Sequence, residues 1–268
     1  MRSRKLFLCA GSVLGFSGAA LALSSVTSLA AKCKDTPVWN YNWDFRDAPS
    51  LVKPGSPDDV IEGKRSVAQR KLYLIRHGQY EQKSDADKDR VLTTLGRTQA
   101  ECTGQHLAKL GVKYSDFTVS TMTRANETGE IILNQLQKTE SDVIEEGIEV
   151  EKTDILREGH PINAVPYSRF KPDNWEFSDG CRIESAFRRY FYRAHYNQKE
   201  QSHEIIVCHA NVIRYFVCRA LQNPPEGWLR MGLANGSVTE VIIEPNGEVF
   251  ITGIGDKGHM PTDMVTFS

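Results

Sequence analysis

Two histidines in this chain close apolar runs. Leu72–Ile75 leads into Arg76-His77-Gly78, and Glu204–Cys208 leads into His209-Ala210-Asn211. An imidazole near its own pKa is largely neutral at physiological pH, so it can serve as a nucleophile without a strong base beside it. Arg76 adds a planar guanidinium fork that matches phosphate oxygens. A second arginine ends Ser120-Thr121-Met122-Thr123-Arg124 and falls in the first turn of the helix expected there. Glu158 stands in Ile155-Leu156-Arg157-Glu158-Gly159, either as a solvated turn carboxylate or as the acid a leaving group needs. Taken singly, each of these residues has a structural reading: an exposed or core histidine, a surface helix arginine. Taken together, two His, two Arg and one Glu at strand ends make a phosphate pocket.

The surrounding pattern supplies the strand ends. Beyond Lys71, apolar runs alternate with helical spacing: strands at Leu72–Ile75, Phe117–Ser120 and Glu204–Cys208, and helices from Thr93 or Thr94 to about Leu110, from Arg124 to Leu136, over Arg182–His195 and over Asn211–Leu221. Val238–Ile243 and Glu248–Ile254 flank Pro245-Asn246-Gly247, a hairpin signal. Strands alternating with helices imply an α/β fold with a largely parallel sheet, and such sheets bind ligands beyond their carboxyl ends. The charged run Ser84–Arg90 reads as a solvated loop.

Composition excludes several classes. Across 268 residues, 33 Lys+Arg balance 34 Asp+Glu for a formal charge of -1, which argues against a general nucleic-acid binder. Eleven Phe, nine Tyr and four Trp are too many aromatics for a disordered chain. The cysteines, at 9, 33, 102, 181, 208 and 218, form no C-x-x-C pair, so neither a structural zinc site nor a disulfide framework is expected.

Arg2, Arg4 and Lys5 precede an uncharged stretch from Leu6 to Ala31, long enough to span a bilayer core of about 20 helical residues. It reads as a signal anchor, a mitochondrial membrane anchor or a cleaved secretory signal. Gly11 and Gly15 have the small-residue spacing that lets two membrane helices approach. Residues 32–69 form a polar connector punctuated by Pro37, Pro49, Pro54 and Pro57, and residues 70–268 the catalytic domain. Trp39-Asn40-Tyr41-Asn42-Trp43-Asp44 interrupts the connector. Aromatics in that density suit docking on another surface, or local packing on their own domain.

Four motifs in order carry a resemblance: Leu74-Ile75-Arg76-His77-Gly78, Ser120-x-x-x-Arg124-Ala125-x-x-Thr128, Leu156-Arg157-Glu158-Gly159 and Val207-Cys208-His209. They resemble the histidine phosphatase superfamily, the phosphoglycerate-mutase-like enzymes, from about Lys71 to Gly255. Three further segments are similar to the mitochondrial serine/threonine protein phosphatases of that superfamily. They are Trp39-x-x-Asn42-Trp43-Asp44, Cys208-His209-Ala210-Asn211-Val212-Ile213-Arg214-Tyr215 and Pro224-Pro225-Glu226-Gly227-Trp228-Leu229-Arg230-Met231.

The resemblance implies a three-layer α/β/α fold with a mostly parallel central sheet behind an N-terminal transmembrane helix. It implies His77 as nucleophile, Arg76, Arg124 and His209 around the phosphoryl oxygens, with His209 best protonated, and Glu158 as the acid. It implies phosphoprotein substrates, no cofactor, no metal and no nucleic-acid partner. It places the chain in a mitochondrial membrane, the outer one favoured. Trp39, Asn42, Trp43 and Asp44 would dock on a neighbouring copy and raise activity, the anchor adding to self-association. The family's segment carries Asp where this chain has Asn40, one negative charge fewer. Two other functions stay open: a phosphoglycerate mutase-type phosphotransferase, and a membrane scaffold with secondary phosphatase activity.

Overall fold

The computed structural model describes residues 38–139, 142–166 and 175–267. The anchor over 6–31, with Gly11 and Gly15, lies outside the described residues. Among the described residues no helix is long and apolar enough to cross a membrane.

A six-stranded sheet organises the chain from Tyr41 onward. Its strands are β1 (Arg70–Arg76), β2 (Asp116–Ser120), β3 (Val150–Thr153), β4 (Ser202–Cys208), β5 (Val238–Ile243) and β6 (Val249–Asp256), in the order β3-β2-β4-β1-β5-β6. The pairs β3–β2, β2–β4 and β4–β1 are parallel; β1–β5 and β5–β6 are antiparallel. The sheet is thus mixed. The expected parallel character holds for four strands, and the antiparallel edge is the hairpin marked by Asn246-Gly247. Gly247 has φ +91, and a side chain there would collide with the Tyr41 carbonyl.

β1 and β4 are central, and their near-continuous apolar runs are buried on both faces, as parallel strands require. β6 alternates exposed residues with partly covered ones, the mark of an edge strand with one wet face. Alternation along the strands divides the core. Tyr73, Ile75, Phe117, Val119, Ile205 and Val207 face one side, where they join Leu107 of helix α2 (Thr94–Lys109, after a short α1 at Asp58–Glu62) and Ala125, Ile132 and Leu136 of α3 (Thr123–Gln137). The opposite side carries α4 (Trp175–Tyr190) and α5 (Ala210–Ala220), joined by Phe187, Phe191 and Phe216 with ring centroids 4.8–6.0 Å apart. Helices on both faces give the three layers.

Local chemistry sets the helix ends. Thr93 caps α2 by accepting from the Gly96 N–H at 3.0 Å. Its own N–H reaches the Gln79 carbonyl at 3.0 Å, which ties the segment after β1 to this cap. Gly78 and Gly96 face each other so closely that a Cβ on either would strike the other strand of backbone. α4 starts seven residues before the expected Arg182 and stops at Tyr190 instead of His195. The stop has a cause: buried Arg70, paired with Glu204, takes the carbonyls of Tyr190 and Tyr192 at 3.1 and 2.6 Å. A tertiary donor captures carbonyls that helical spacing assigned to the next turn.

Tyr41 to the C-terminus forms one compact unit, so much of the expected connector belongs to the catalytic body. Trp43 donates to the Gly247 carbonyl at 2.8 Å and its ring lies 6.0 Å from Phe187. Asp44 pairs with Arg193 at 2.8 Å, and both side chains are nearly inaccessible. Arg193 also donates to the Tyr41 carbonyl. Breaking a buried pair strands an uncompensated charge at a cost of about 3–5 kcal/mol. Asp44→Ala is therefore expected to destabilise the protein by about that amount in urea unfolding. Asp44→Ala combined with Arg193→Ala is expected to cost less than the sum of the single changes.

Candidate active site

Register brings the two histidines together. β1 and β4 are parallel neighbours with Arg76 opposite Cys208, so the next residues, His77 and His209, leave the sheet side by side. The His77 N–H bonds the Cys208 carbonyl at 3.1 Å, and the two imidazole centroids lie 5.1 Å apart. On the far side of β4, β2 ends at Ser120, whose hydroxyl is 2.9 Å from His209 Nε2. Four residues later Arg124 sits in the first turn of α3. β3 and the short turn Asp154–Leu156 deliver Glu158 to the same end of the sheet. All five residues expected from the sequence therefore converge at the carboxyl ends of β1–β4.

His77 is held in one orientation. Its Nδ1 lies 2.8 Å from the Gly78 carbonyl, so Nδ1 carries the proton and donates. Nε2 then has a lone pair, and it accepts from Arg124 Nε at 3.2 Å. The loop's backbone is pinned in turn: the Gly78 N–H donates to Thr128 Oγ1 at 3.0 Å, and Asn235 Nδ2 donates to the His77 carbonyl at 3.2 Å. Arg76 Nη1 donates to the Leu233 carbonyl at 2.7 Å.

Burial and charge agree on the protonation states. Burial first, then Arg124 and Arg76, push His77 well below its usual 6.5, so it is neutral. Burial lowers Arg76 to about 10, far enough above neutrality to keep it charged. Burial, then His77, the two arginines and Arg182, also hold His209 well below its usual value. The sequence reading has His209 protonated as a donor; burial and the surrounding cations instead favour its neutral form. His209 Nδ1 has no hydrogen-bond partner among the described residues. Glu158 is half-buried as a residue. The burial of its carboxyl raises its pKa above the ordinary 4.5, against the lowering pull of the Gly159 N–H, Arg124, Arg76 and the Asn211 N–H. Its oxygens accept from Gly159 N at 3.1 Å and, loosely, from Asn211 N at 3.5 Å. Asn211 is the second residue of α5, whose first amides have no partner within the helix. One of them thus addresses the acid.

Several site residues escaped the sequence analysis. Asp87 lies in the run read as a solvated loop. Instead it accepts from Thr123 N and Oγ1 at 3.2 and 3.3 Å and lies 3.5 Å from Arg124 Nη1. A charge-dense run gives no sign of which carboxylate folds inward. Arg182 of α4 supports the acid loop by donating to the carbonyls of Ile155, Arg157 and Glu158. Arg214 links Asn211 Oδ1 and the Met231 carbonyl at 3.1 and 2.8 Å. Asn211 and Arg214 stood in a quoted motif, but no spacing rule assigned them a role. Of the Trp segment, Trp43 and Asp44 pack on their own chain as described above, and Asn42 bonds Ser50 and Asp47. Trp39 is half-buried.

A nucleophilic imidazole flanked by guanidiniums and a protonatable carboxyl defines a phosphoryl-transfer site of the histidine type. The histidine phosphatase superfamily (branch 1) matches residues 72–253, and the chain belongs to that family. Among its relatives are the mitochondrial serine/threonine-protein phosphatases PGAM5 of Mus musculus and Homo sapiens. Each is 47% identical over 242 residues, which cover 86% of this chain and 81% of the relative. Among solved structures, a phosphoglycerate mutase from Plasmodium falciparum aligns with a TM-score of 0.50 and 28% identity, over 75% of this chain and 100% of that one. The phosphoglycerate-mutase-like architecture is thereby shown.

Proposed function

We propose that the chain is a protein serine/threonine phosphatase working through a phosphohistidine. The observation that carries this reading is the state of His77: Nδ1 tied to the Gly78 carbonyl, Nε2 unprotonated and next to Arg124. In the first step the Nε2 lone pair attacks phosphorus in line, a P–N bond forms and the bond to the seryl or threonyl oxygen breaks. Glu158 gives its proton to that departing oxygen. In the second step Glu158, now a carboxylate, takes a proton from water, whose oxygen attacks phosphorus. The P–N bond breaks, its electron pair returns to Nε2, and inorganic phosphate is left. Arg76, Arg124 and a donor from His209 meet the charge spread over the phosphoryl oxygens. With the Ser120 hydroxyl donating to Nε2, neutral His209 offers an Nδ1–H for that purpose. These cations carry the neutralisation without a metal.

The relatives' names support a protein substrate and a mitochondrial location. The uncharged Leu6–Ala31 stretch supports a membrane anchor, with Gly11 and Gly15 on a helix-packing face and the outer membrane favoured. Catalytic domain and anchor would divide near residues 31 and 70, with the Trp segment between them. Self-association through Trp39, Asn42, Trp43 and Asp44 would have to exchange the Asp44–Arg193 pairing between copies, as in a swapped segment.

The direct test is phosphate release from a phosphothreonine peptide, run beside a phosphoglycerate mutase assay. Hydrolysis with no conversion of 3-phosphoglycerate to 2-phosphoglycerate is expected. Efficient mutase turnover with an inert peptide would replace this function with the small-molecule one.

The pH profile of kcat/KM provides a second check. His77 must be neutral and Glu158 protonated in the free enzyme. The acid limb should fall below the usual histidine value of 6.5, since His77 resists protonation. The alkaline limb, where Glu158 loses its proton, should lie above 4.5. An acid limb at or above 6.5 would contradict the neutral, buried nucleophile.

A further inference from the structure

Asp87 holds α3 by its start and Arg124 by its side. Met122, the N-cap residue of α3, makes no side-chain capping bond, and Asp87 Oδ2 supplies the missing acceptor to Thr123 N and Oγ1. Asp87 Oδ1 lies 3.5 Å from Arg124 Nη1, beyond the 2.7–2.9 Å of a good charged hydrogen bond. Both atoms are buried, and neither has a hydrogen-bond partner among the described residues. The other edge of the same guanidinium donates to His77 Nε2, the lone pair that must attack phosphorus. Tyr80, from the same loop as Asp87, places its ring 4.6 Å from the guanidinium carbon. Arg124 is thus shared between the nucleophile, which it reaches with a hydrogen bond, and a loop carboxylate, which it meets only loosely.

We propose that Asp87 is a tethered anion that competes with phosphate for Arg124 and so weakens the retention of inorganic phosphate after each turnover. This rests on the reading above that Arg124 binds the phosphoryl group. When a phosphoryl group arrives, Arg124 turns its donors to phosphoryl oxygens and releases the lone pair of His77. The loose contact with Asp87 is the one given up at least cost. Asp87 itself stays, because two donors of Thr123 hold it, and its charge opposes the dianion from within a few ångströms. A hydrolase ends each cycle with free phosphate in the site, and product release often limits turnover. A fixed carboxylate beside Arg124 speeds that departure. Asp87 is thus a positioning residue for Arg124 and a determinant of phosphate affinity, and it makes no bond to the reacting atoms.

Asp87→Asn separates charge from shape, since the amide oxygen can still cap Thr123. Binding of inorganic phosphate to the full-length chain in detergent would be measured by calorimetry. Loss of the opposing charge is expected to tighten Kd on the order of tenfold. Product inhibition by phosphate should strengthen by the same factor. An unchanged or weaker Kd overturns the proposal. Thr123→Val keeps the charge and removes one of its donors. Tightening of equal size in Thr123→Val would assign the effect to a loosened helix start and would also overturn it. Binding and catalysis are read separately. A wild-type chain that binds phosphate, tightens with Asp87→Asn and leaves phosphopeptides intact would sink the phosphatase function while upholding the role of Asp87.

Discussion

His77→Ala is expected to abolish phosphopeptide hydrolysis, lowering kcat by about 10⁴-fold or more. No other group among the described residues is placed to take over. His209 is neutral, but its Nε2 engages the Ser120 hydroxyl. Retained folding would be checked by urea unfolding. His77 is buried and neutral, so its loss leaves a cavity of modest size and takes the acceptor from Arg124 Nε. The same variant should fail to take up label from a radioactive phosphopeptide. The wild type should yield an acid-labile phosphoenzyme, because a phosphorus–nitrogen bond is protonated and cleaved in acid. Substantial hydrolysis by His77→Ala, or an acid-stable adduct, would rule out the phosphohistidine route.

Glu158→Gln comes next in size. For a phosphoserine peptide, kcat/KM is expected to fall about 10²–10⁴-fold, the usual contribution of a general acid. For an aryl phosphate, whose leaving group departs without a proton, it should fall far less. The comparison uses kcat/KM because that quantity covers the steps up to the first irreversible one, phosphoenzyme formation, for which the proposed role of Glu158 is that of acid. In the second step its proposed role is that of base for every substrate, so kcat alone would blur the distinction. The sign of the pH effect follows from the raised pKa: the acid form persists to higher pH than an exposed glutamate allows, and activity falls as pH climbs through that raised value. The aryl phosphate should lack this alkaline limb even with the wild type. Equal damage to both substrates would remove Glu158 from the acid role and leave it a structural carboxylate, held by Gly159 and Asn211.

These two effects depend on geometry that no single segment of sequence contains. His77 and His209 are 132 positions apart, and they meet because β1 and β4 pair in register, Arg76 opposite Cys208. The sequence showed that each histidine ends a buried strand. It could not show that the two strands are neighbours, since strand order depends on which crossovers the helices permit.

What the sequence determined by itself was chemical identity and local structure. The apolar runs fixed by period, a threonine cap at 93 or 94, the Asn246-Gly247 hairpin and the types of the five site residues are short-range properties, read from spacing and turn chemistry. The antiparallel placement of β5 beside β1, the early end of α4 and the local packing of Trp43 and Asp44 were decided by tertiary contacts: Arg70 taking carbonyls of a distant helix, Arg193 taking a carboxylate from 149 residues away. Protonation was decided there as well. His209 is neutral because it is buried near cations, Glu158 is raised because burial outweighs the pull of those same cations, and burial belongs to the assembled fold alone. Asp87 is the plainest case. Its run of charges is indistinguishable from a solvated loop until the chain closes and one carboxylate of the run lands on Arg124. Residue type sets what a group can do; the dielectric around it and the partners within a few ångströms set what it does.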